Sequence, residues 1–315
     1  MIADRPPVSP TDLVAETDPV LARIGNTPMV RLNRVLPDDV PRQVEIWAKL
    51  EWFNPGGSVK DRAALSMIRE AEAAGRLEPG MTILDASSGN TGIALAMVAA
   101  RRGYRLVLCL PENANADRKQ RLRAYGAEIV LTSPFEGSDG AIIKARELAH
   151  AHPDYLYLDQ YSNPANWRAH LRTTGPEIWR DTNGQITHFV ACLGTSGTFV
   201  GTSRYLKSRD AGVRCVSVQP DDAMHGLEGL KHMESALVPD IYDPELADAD
   251  LGAPTETSIN YARRLGDSDG LLAGISAGAA VWGAVEVARR IERGIIVTVF
   301  PDGADRYFSD RHVWG

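Results

Sequence analysis

Four short segments of this 315-residue sequence hold residue types that can do chemistry at useful spacing. Three are turns of small residues: Ser87-Ser88-Gly89-Asn90-Thr91-Gly92, Gly194-Thr195-Ser196-Gly197-Thr198 and Gly274-Ile275-Ser276-Ala277-Gly278. Where such a turn leads from a strand into a helix, its backbone N–H groups can approach an anion, and the helix dipole favours the negative charge. A single turn of this kind is a common structural feature, so one alone would carry little weight. The fourth segment is Asn54-Pro55-Gly56-Gly57-Ser58-Val59-Lys60-Asp61-Arg62. Ser58 and Asp61 form a Ser-x-x-Asp capping pattern, and Gly75 follows the periodic run AALSMIREAEAA, which together predict a helix with Lys60 in its first turn. A cation there opposes the helix dipole, so helix stability does not explain Lys60. A lysine held beside a tight, glycine-rich backbone is what an imine-forming amine requires.

The elements that must position these segments alternate between strand and helix. MTILDA (81–86), YRLVLCL (104–110), AEIVLT (127–132) and YLYLD (155–159) read as strands, with helices near 117–125 and 138–151 and an Ala-rich helix ending at Gly103. Beyond Asn163-Pro164-Ala165-Asn166 a second series begins. Its strands are ITHFVAC (186–192), VRCVSV (213–218) and GIIVTVF (294–300), and its helices lie near 197–208, 256–265 and 277–292. This alternation is the signature of α/β units with parallel sheets covered by helices. The chain length suits two such domains with a cleft between them. Between residues 219 and 255 the periodicity fails, and a loop of that length is usually functional or mobile.

Composition excludes several classes. The hydrophobic share is 44% and the charged share 24%, which describes a globular chain. The net charge of −7, with the 34 Lys and Arg residues scattered, argues against nucleic acid as a partner. No run approaches the ~20 apolar residues that cross a bilayer, and the first residues lack the basic start and apolar run of a signal peptide. The expectation is a cytoplasmic protein with no membrane contact. Residues 1–18 read as a loose N-terminal arm. Cys109, Cys192 and Cys215 are far apart and lie in or beside apolar runs, which suggests buried, reduced thiols. None of the seven histidines falls at metal-ligand spacing, so no metal is expected.

The combination NPGGSVKDR, SSGNTG, QYSNPAN, GTSGT and GISAGAA, in this order, resembles the cysteine synthase (O-acetylserine sulfhydrylase) family of fold-type II pyridoxal-phosphate enzymes. The likeness runs from Gly25-Asn26-Thr27-Pro28 to Pro301-Asp302-Gly303. It implies two α/β domains, each a mostly parallel twisted sheet covered by helices as in tryptophan synthase β. By this reading residues 46–155 form the smaller domain, 19–45 with 156–315 form the larger, and pyridoxal 5'-phosphate lies in the cleft between them. The resemblance makes Lys60 the lysine that forms a Schiff base with the cofactor and Asn90 the partner of its phenolic oxygen. Gly194, Thr195, Ser196, Gly197 and Thr198 would cradle the phosphate, and Ser276 would meet the pyridine nitrogen. Ser88, Thr91 and Gln160 would hold the substrate carboxylate, with Ser87 beside them, and Gly229 and Lys231 would lie over the substrate.

The chemistry of these residue types agrees with the roles implied. A phosphate dianion suits a turn with Gly for close approach and three hydroxyls as further donors. A serine hydroxyl cannot hold a ring nitrogen protonated as an Asp would, so the ring is a weaker electron sink, suited to β-elimination rather than transamination. Lys60, once displaced by substrate, is the natural base for the α-proton. The expected reaction is β-replacement of O-acetyl-L-serine or O-phospho-L-serine by sulfide or another sulfur donor, through an aminoacrylate intermediate, to give L-cysteine.

The irregular segment contains Gly229-Leu230-Lys231-His232, and a basic pair after that glycine resembles the B-type branch of the family. Such a pair would attract an anionic leaving group or a bulky anionic sulfur donor. Arg118, Lys119, Arg121 and Arg123 read instead as a solvated helix face. The sequence departs from the family at Ser87, where Thr is usual, at Ser196, where Gly is usual, and at Ala304-Asp305-Arg306 in a Gly-rich tail. No regulatory domain of the animal cystathionine β-synthase type is expected after Gly315. Competing readings are S-sulfocysteine, cystathionine or cyanoalanine synthesis, serine or threonine dehydration, and a catalytically silent binding protein. The family implies a homodimer; a serine acetyltransferase or a sulfur-carrier protein as partner is not decided by the sequence.

Overall fold

The computed structural model describes residues 16–87, 89–309 and 311–314. The strands are, in chain order, β1 (Met29–Leu32), β2 (Val44–Leu50), β3 (Thr82–Ala86), β4 (Arg105–Pro111), β5 (Glu128–Thr132), β6 (Tyr155–Tyr157), β7 (His188–Cys192), β8 (Arg214–Pro220), β9 (Ala249–Ala253) and β10 (Gly294–Phe300). The helices are α1 (Lys60–Ala73), α2 (Asn90–Arg102), α3 (Ala116–Ala124), α4 (Gly137–Ala151), α5 (Pro164–Arg172), α6 (Thr174–Asp181), α7 (Gly197–Arg209), α8 (Thr255–Asp269), α9 (Ile275–Ala288) and α10 (Arg311–Trp314). Two compact units result. The first joins the described residues up to Ile24 with Lys60–Arg168, and the second joins Gly25–Val59 with the residues from Ala169 onward.

The first unit contains a four-stranded, all-parallel sheet of order β5-β4-β3-β6. The inner strands β3 and β4 are buried on both faces because helices cover both, while β5 at the edge is half exposed. Ile83, Leu106, Leu108 and Leu110 pack with α1 and α2 residues such as Met67, Ile68, Leu95 and Val98. Leu84, Ala86, Val107 and Cys109, one residue out of phase, pack with Ala141, Ile142 and Ala145 of α4. Helix α3 buries only Leu122; Arg121 and Arg123 are exposed as expected of a solvated face, whereas Arg118 and Lys119 are half-buried and Lys119 Nζ donates to Glu112 O at 2.8 Å.

The second unit contains a six-stranded sheet of order β1-β2-β10-β7-β8-β9, parallel except for the β1–β2 pair. One face is covered by α8 and by α9, whose Ala- and Val-rich surface lies against Val190, Val218 and Ile296. On β7 the neighbouring Phe189 stacks on Phe199 of α7, with ring centroids 6.4 Å apart.

The unit boundaries differ from those read off the sequence. Strand β2 pairs along its whole length with β10, from Val44 with Gly294 to Leu50 with Phe300, so residues 46–59 belong to the larger unit. The smaller unit runs past residue 155 because β6 pairs with β3 and Leu158 N–H then bonds Leu84 O at 3.1 Å. Leu21, placed with the larger domain by sequence, is buried in the smaller unit's core. Of the expected loose arm, residues 1–15 lie outside the described residues. Glu16 and Asp18 are held, Asp18 by Arg101 at 2.7 Å and by the N–H groups of Val20 and Leu21 at 2.9 Å.

Within the irregular 219–255 segment the structure contains a strand, β9, parallel to β8 at the sheet edge. Its sequence ADLGA is mostly exposed and has no β-branched residue, so it gives no period-2 signal. Helix α5 starts at Pro164, inside the Asn163–Asn166 stretch beyond which the sequence places the second series, because Pro is well suited to the first helical position.

Candidate active site

Lys60 is the first residue of α1 and is half-buried. Ser58, read as the cap of this helix, lies two residues earlier and forms an isolated antiparallel bridge with Asp302, while Val59 N–H bonds Pro301 O at 2.8 Å.

In the first unit the turn after β3 leads into α2, which starts at Asn90. Ser87 Oγ accepts the N–H groups of Gly89 (3.3 Å) and Gly92 (3.2 Å), so its acceptor capacity serves the turn itself. Thr91 Oγ1 donates to Gln160 Oε1 at 2.7 Å, and both residues are buried. Gln160 is held further by Nε2 donating to Ala86 O (3.3 Å) and by Asn166 Nδ2 donating to Gln160 O (2.8 Å). The structure therefore brings Ser87, Asn90, Thr91 and Gln160 to one end of the sheet. Ser88 lies outside the described residues. Asp85, two residues before the turn, is wholly buried, and desolvation pushes its carboxyl up to about 8.

In the second unit the turn from Gly194 to Thr198 leads from β7 into α7. Ser196, the N-cap, has left-handed backbone (φ 69°), and its hydroxyl is buried with no hydrogen-bond partner among the described residues. A buried hydroxyl in that state, at the N-terminus of a 13-residue helix, suits an anion that would accept from it. Gly194 is required by close approach: a Cβ there would lie 2.4 Å from Gly229 O. Lys231 N–H bonds Leu193 O at 2.9 Å, so Gly229 and Lys231 are brought to this turn. Lys231 Nζ donates to Leu237 O at 3.4 Å, and His232 is paired with Ser235 at 2.8 Å. Thr198 Oγ1 meets His170 Nε2 at 3.3 Å, and His170 Nδ1 meets Thr174 Oγ1 at 2.9 Å. Neither His170 nor its links stood out in the sequence, since a lone histidine on an amphipathic helix has no distinguishing pattern.

Ser276 is buried in the first turn of α9. Its carbonyl accepts the Cys192 thiol at 3.5 Å, and Gly274 N–H bonds Asp302 O at 3.0 Å. Asp302 in turn accepts from Tyr307 Oη at 2.6 Å. Cys109 and Cys215 are buried and Cys192 half-buried. Burial pushes the Cys192 thiol up to about 12 and the Cys109 thiol up to about 11, so both stay protonated and unreactive near neutral pH.

Comparison with known proteins gives a consistent result. The family model described as "Pyridoxal-phosphate dependent enzyme" matches residues 20–302. A cysteine synthase of Aquifex aeolicus is 50% identical over 302 residues, covering 93% of this chain and 92% of the relative. Cysteine synthase B of Salmonella typhimurium is 46% identical over 286 residues, covering 91% of this chain and 93% of the relative. Among solved structures, a cysteine synthase from Entamoeba histolytica superposes with a TM-score of 0.89 at 35% identity, over 92% of this chain and 89% of that one. The chain belongs to the cysteine synthase family of pyridoxal-phosphate-dependent enzymes.

Proposed function

We propose that this enzyme makes L-cysteine by replacing the β-substituent of an activated L-serine, O-acetyl-L-serine or O-phospho-L-serine, with sulfide or another sulfur donor. The observation that carries the reading is the cradle at the α7 N-terminus. Gly194 admits no Cβ, and the buried Ser196 hydroxyl has no partner among the described residues, which fits a phosphate needing close backbone approach and an extra donor. Pyridoxal phosphate, when bound, supplies the electron sink that makes the substrate's α-proton acidic.

The chain's own residues do the rest. Lys60 Nζ would hold the cofactor and, as the free amine, would take the proton from the substrate's α-carbon and return one to the product's α-carbon. Gly194, Thr195, Ser196, Gly197 and Thr198 hold the phosphate. Asn90 would hydrogen-bond the cofactor's phenolic oxygen, and the Ser276 hydroxyl, which cannot hold a ring nitrogen protonated, would meet that nitrogen. Thr91, Gln160 and Ser88, with the Ser87 turn behind them, bind the substrate carboxylate. The hydrogen bond between Thr91 and Gln160 keeps the two side chains together, and the Thr91 hydroxyl, whose one proton goes to Gln160 Oε1, would turn from it to donate to a carboxylate. Gly229 and Lys231 cover the substrate. The hold of Lys231 N–H on Leu193 O supports a basic pair beside the phosphate turn that draws in an anionic leaving group or donor.

We further propose a cytoplasmic homodimer. Among the described residues no helix is long and apolar enough to cross a membrane, and sedimentation of the purified enzyme tests the dimer.

The deciding experiment follows the cofactor's visible absorbance while O-acetyl-L-serine or O-phospho-L-serine is added, then sulfide or thiosulfate. The expected outcome is a spectral change with one serine ester, reversed only by a sulfur donor, with cysteine or S-sulfocysteine formed in equal amount. Absence of any change with either ester would refute the reading.

A further inference from the structure

The cofactor and substrate roles leave the Gly25-Asn26-Thr27-Pro28 motif unexplained. In the second unit Thr27 Oγ1 donates to Glu51 Oε1 at 2.7 Å, and Asn54 Nδ2 donates to Glu51 Oε2 at 2.8 Å. Asn54 Oδ1 accepts Gly25 N–H at 2.8 Å, while the same Nδ2 lies 2.9 Å from Glu51 O and 3.2 Å from Ser58 O. Glu51 and Ser58 are wholly buried, and Thr27 and Asn54 nearly so. Lys49, also wholly buried, donates to Thr27 O at 3.0 Å and pairs with Glu177 at 2.8 Å and Asp181 at 3.6 Å. On the loop's other side the Arg306 guanidinium donates to Gly56 O. Gly57 turns with φ 80°, bonding its N–H to Asn54 O at 2.8 Å, and a Cβ on it would lie 2.6 Å from Arg306 Nη2.

A buried carboxylate is costly unless its oxygens are satisfied, so this network demands a single arrangement of its members. The bonds of Asn54, Gly57 and Arg306 hold residues 54–59, those of Thr27 and Lys49 back Glu51 and Thr27 behind Asn54, and the next residue after the loop is Lys60. We propose that Glu51, bracing Asn54 against Thr27, is a positioning residue that fixes the 54–59 loop and through it the place from which Lys60 presents Nζ. The inference rests on the reading of Lys60 as the cofactor lysine. It assigns the Gly25–Pro28 motif a role in catalysis at one remove, with no contact to substrate.

Glu51→Met keeps the bulk but removes both acceptors from Thr27 and Asn54. Glu51→Gln keeps the brace, because its Oε1 can accept from Asn54 while its amide donates to a Thr27 hydroxyl that rotates to accept. In Glu51→Met holoenzyme, amide hydrogen exchange at 54–59 should rise about tenfold or more, as expected for one lost buried hydrogen bond. Its kcat per bound cofactor should fall on the order of 100-fold with KM changed little, the penalty of about 1 Å misplacement. Glu51→Gln should stay close to the parent in both. If Glu51→Met fails to fold, Thr27→Val, with Thr27→Ser as its conservative control, provides the same two readouts. Parent-like exchange and kcat in the disruptive variant, or equal damage in Glu51→Gln, would overturn the brace. Lys60→Ala separates the two ideas: turnover without that lysine would sink the function assigned to it, whereas exchange at 54–59 still judges Glu51 by itself.

Discussion

Asp85 offers a quantitative test of how the sheet of the first unit is built. It is wholly buried in β3, and desolvation raises its carboxyl from the ordinary 3.8 to about 8; the Asp159 charge adds to the rise and the N–H groups of Ala86 and Gln160 oppose it. Between these two values the folded protein keeps a proton that the unfolded chain has released. Stability from this group therefore falls as pH rises from about 4 to about 8 and is flat above, the reverse of a salt-bridged Asp. At about 1.4 kcal/mol per pH unit, the deficit is about 4 kcal/mol at pH 7 and about 6 kcal/mol above pH 8. Asp85→Asn preserves the shape and the oxygen that accepts Ala86 N–H at 2.7 Å, and it removes the ionisation. Urea unfolding of parent and variant, followed by circular dichroism from about pH 5 to 9, measures the difference. The variant should gain on the parent steadily up to about pH 8 and then hold its lead. Two profiles that run parallel would refute the reasoning, since the carboxyl would then already be charged at neutral pH.

Further expectations concern the second unit. Ser196→Ala should leave thermal stability nearly unchanged, because its hydroxyl has no partner among the described residues, yet weaken pyridoxal-phosphate binding to apoenzyme about 10- to 100-fold, the worth of a hydrogen bond to a charged group. Titration of the cofactor's absorbance checks it, and unchanged affinity would remove Ser196 from the cradle. Gly194→Ala drives a methyl to 2.4 Å from Gly229 O, so the turn or the 229–231 segment must shift; cofactor affinity and the KM for the serine ester should worsen together. Lys49→Met leaves Glu177 and Asp181 without their buried cation and should cost about 3–5 kcal/mol in unfolding experiments. A loss below about 1 kcal/mol would place that pair among weakly coupled surface bridges.

By itself the sequence determined the alternation of strands and helices, the three small-residue turns at helix starts and the lysine that opens α1. Each is written in a short window: period-2 runs such as GIIVTVF, a Gly after the last helical residue, hydroxyls and Gly where an anion must approach. The basic pair Lys231-His232 after Gly229 was legible only through the family resemblance. What only the tertiary structure decided are pairings across long separations. That β2 belongs with β10, and so draws residues 46–59 into the larger unit, depends on hydrogen bonds between segments some 250 residues apart. Strand β9 exists because β8 offers it an edge, not because ADLGA favours extension. Glu51, Thr27 and Arg306 acquire meaning only when burial forces each polar atom to find a partner, and the identity of that partner is a property of packing. Local propensity and turn chemistry are encoded over a few residues; the satisfaction of buried polar groups is settled only when distant segments meet.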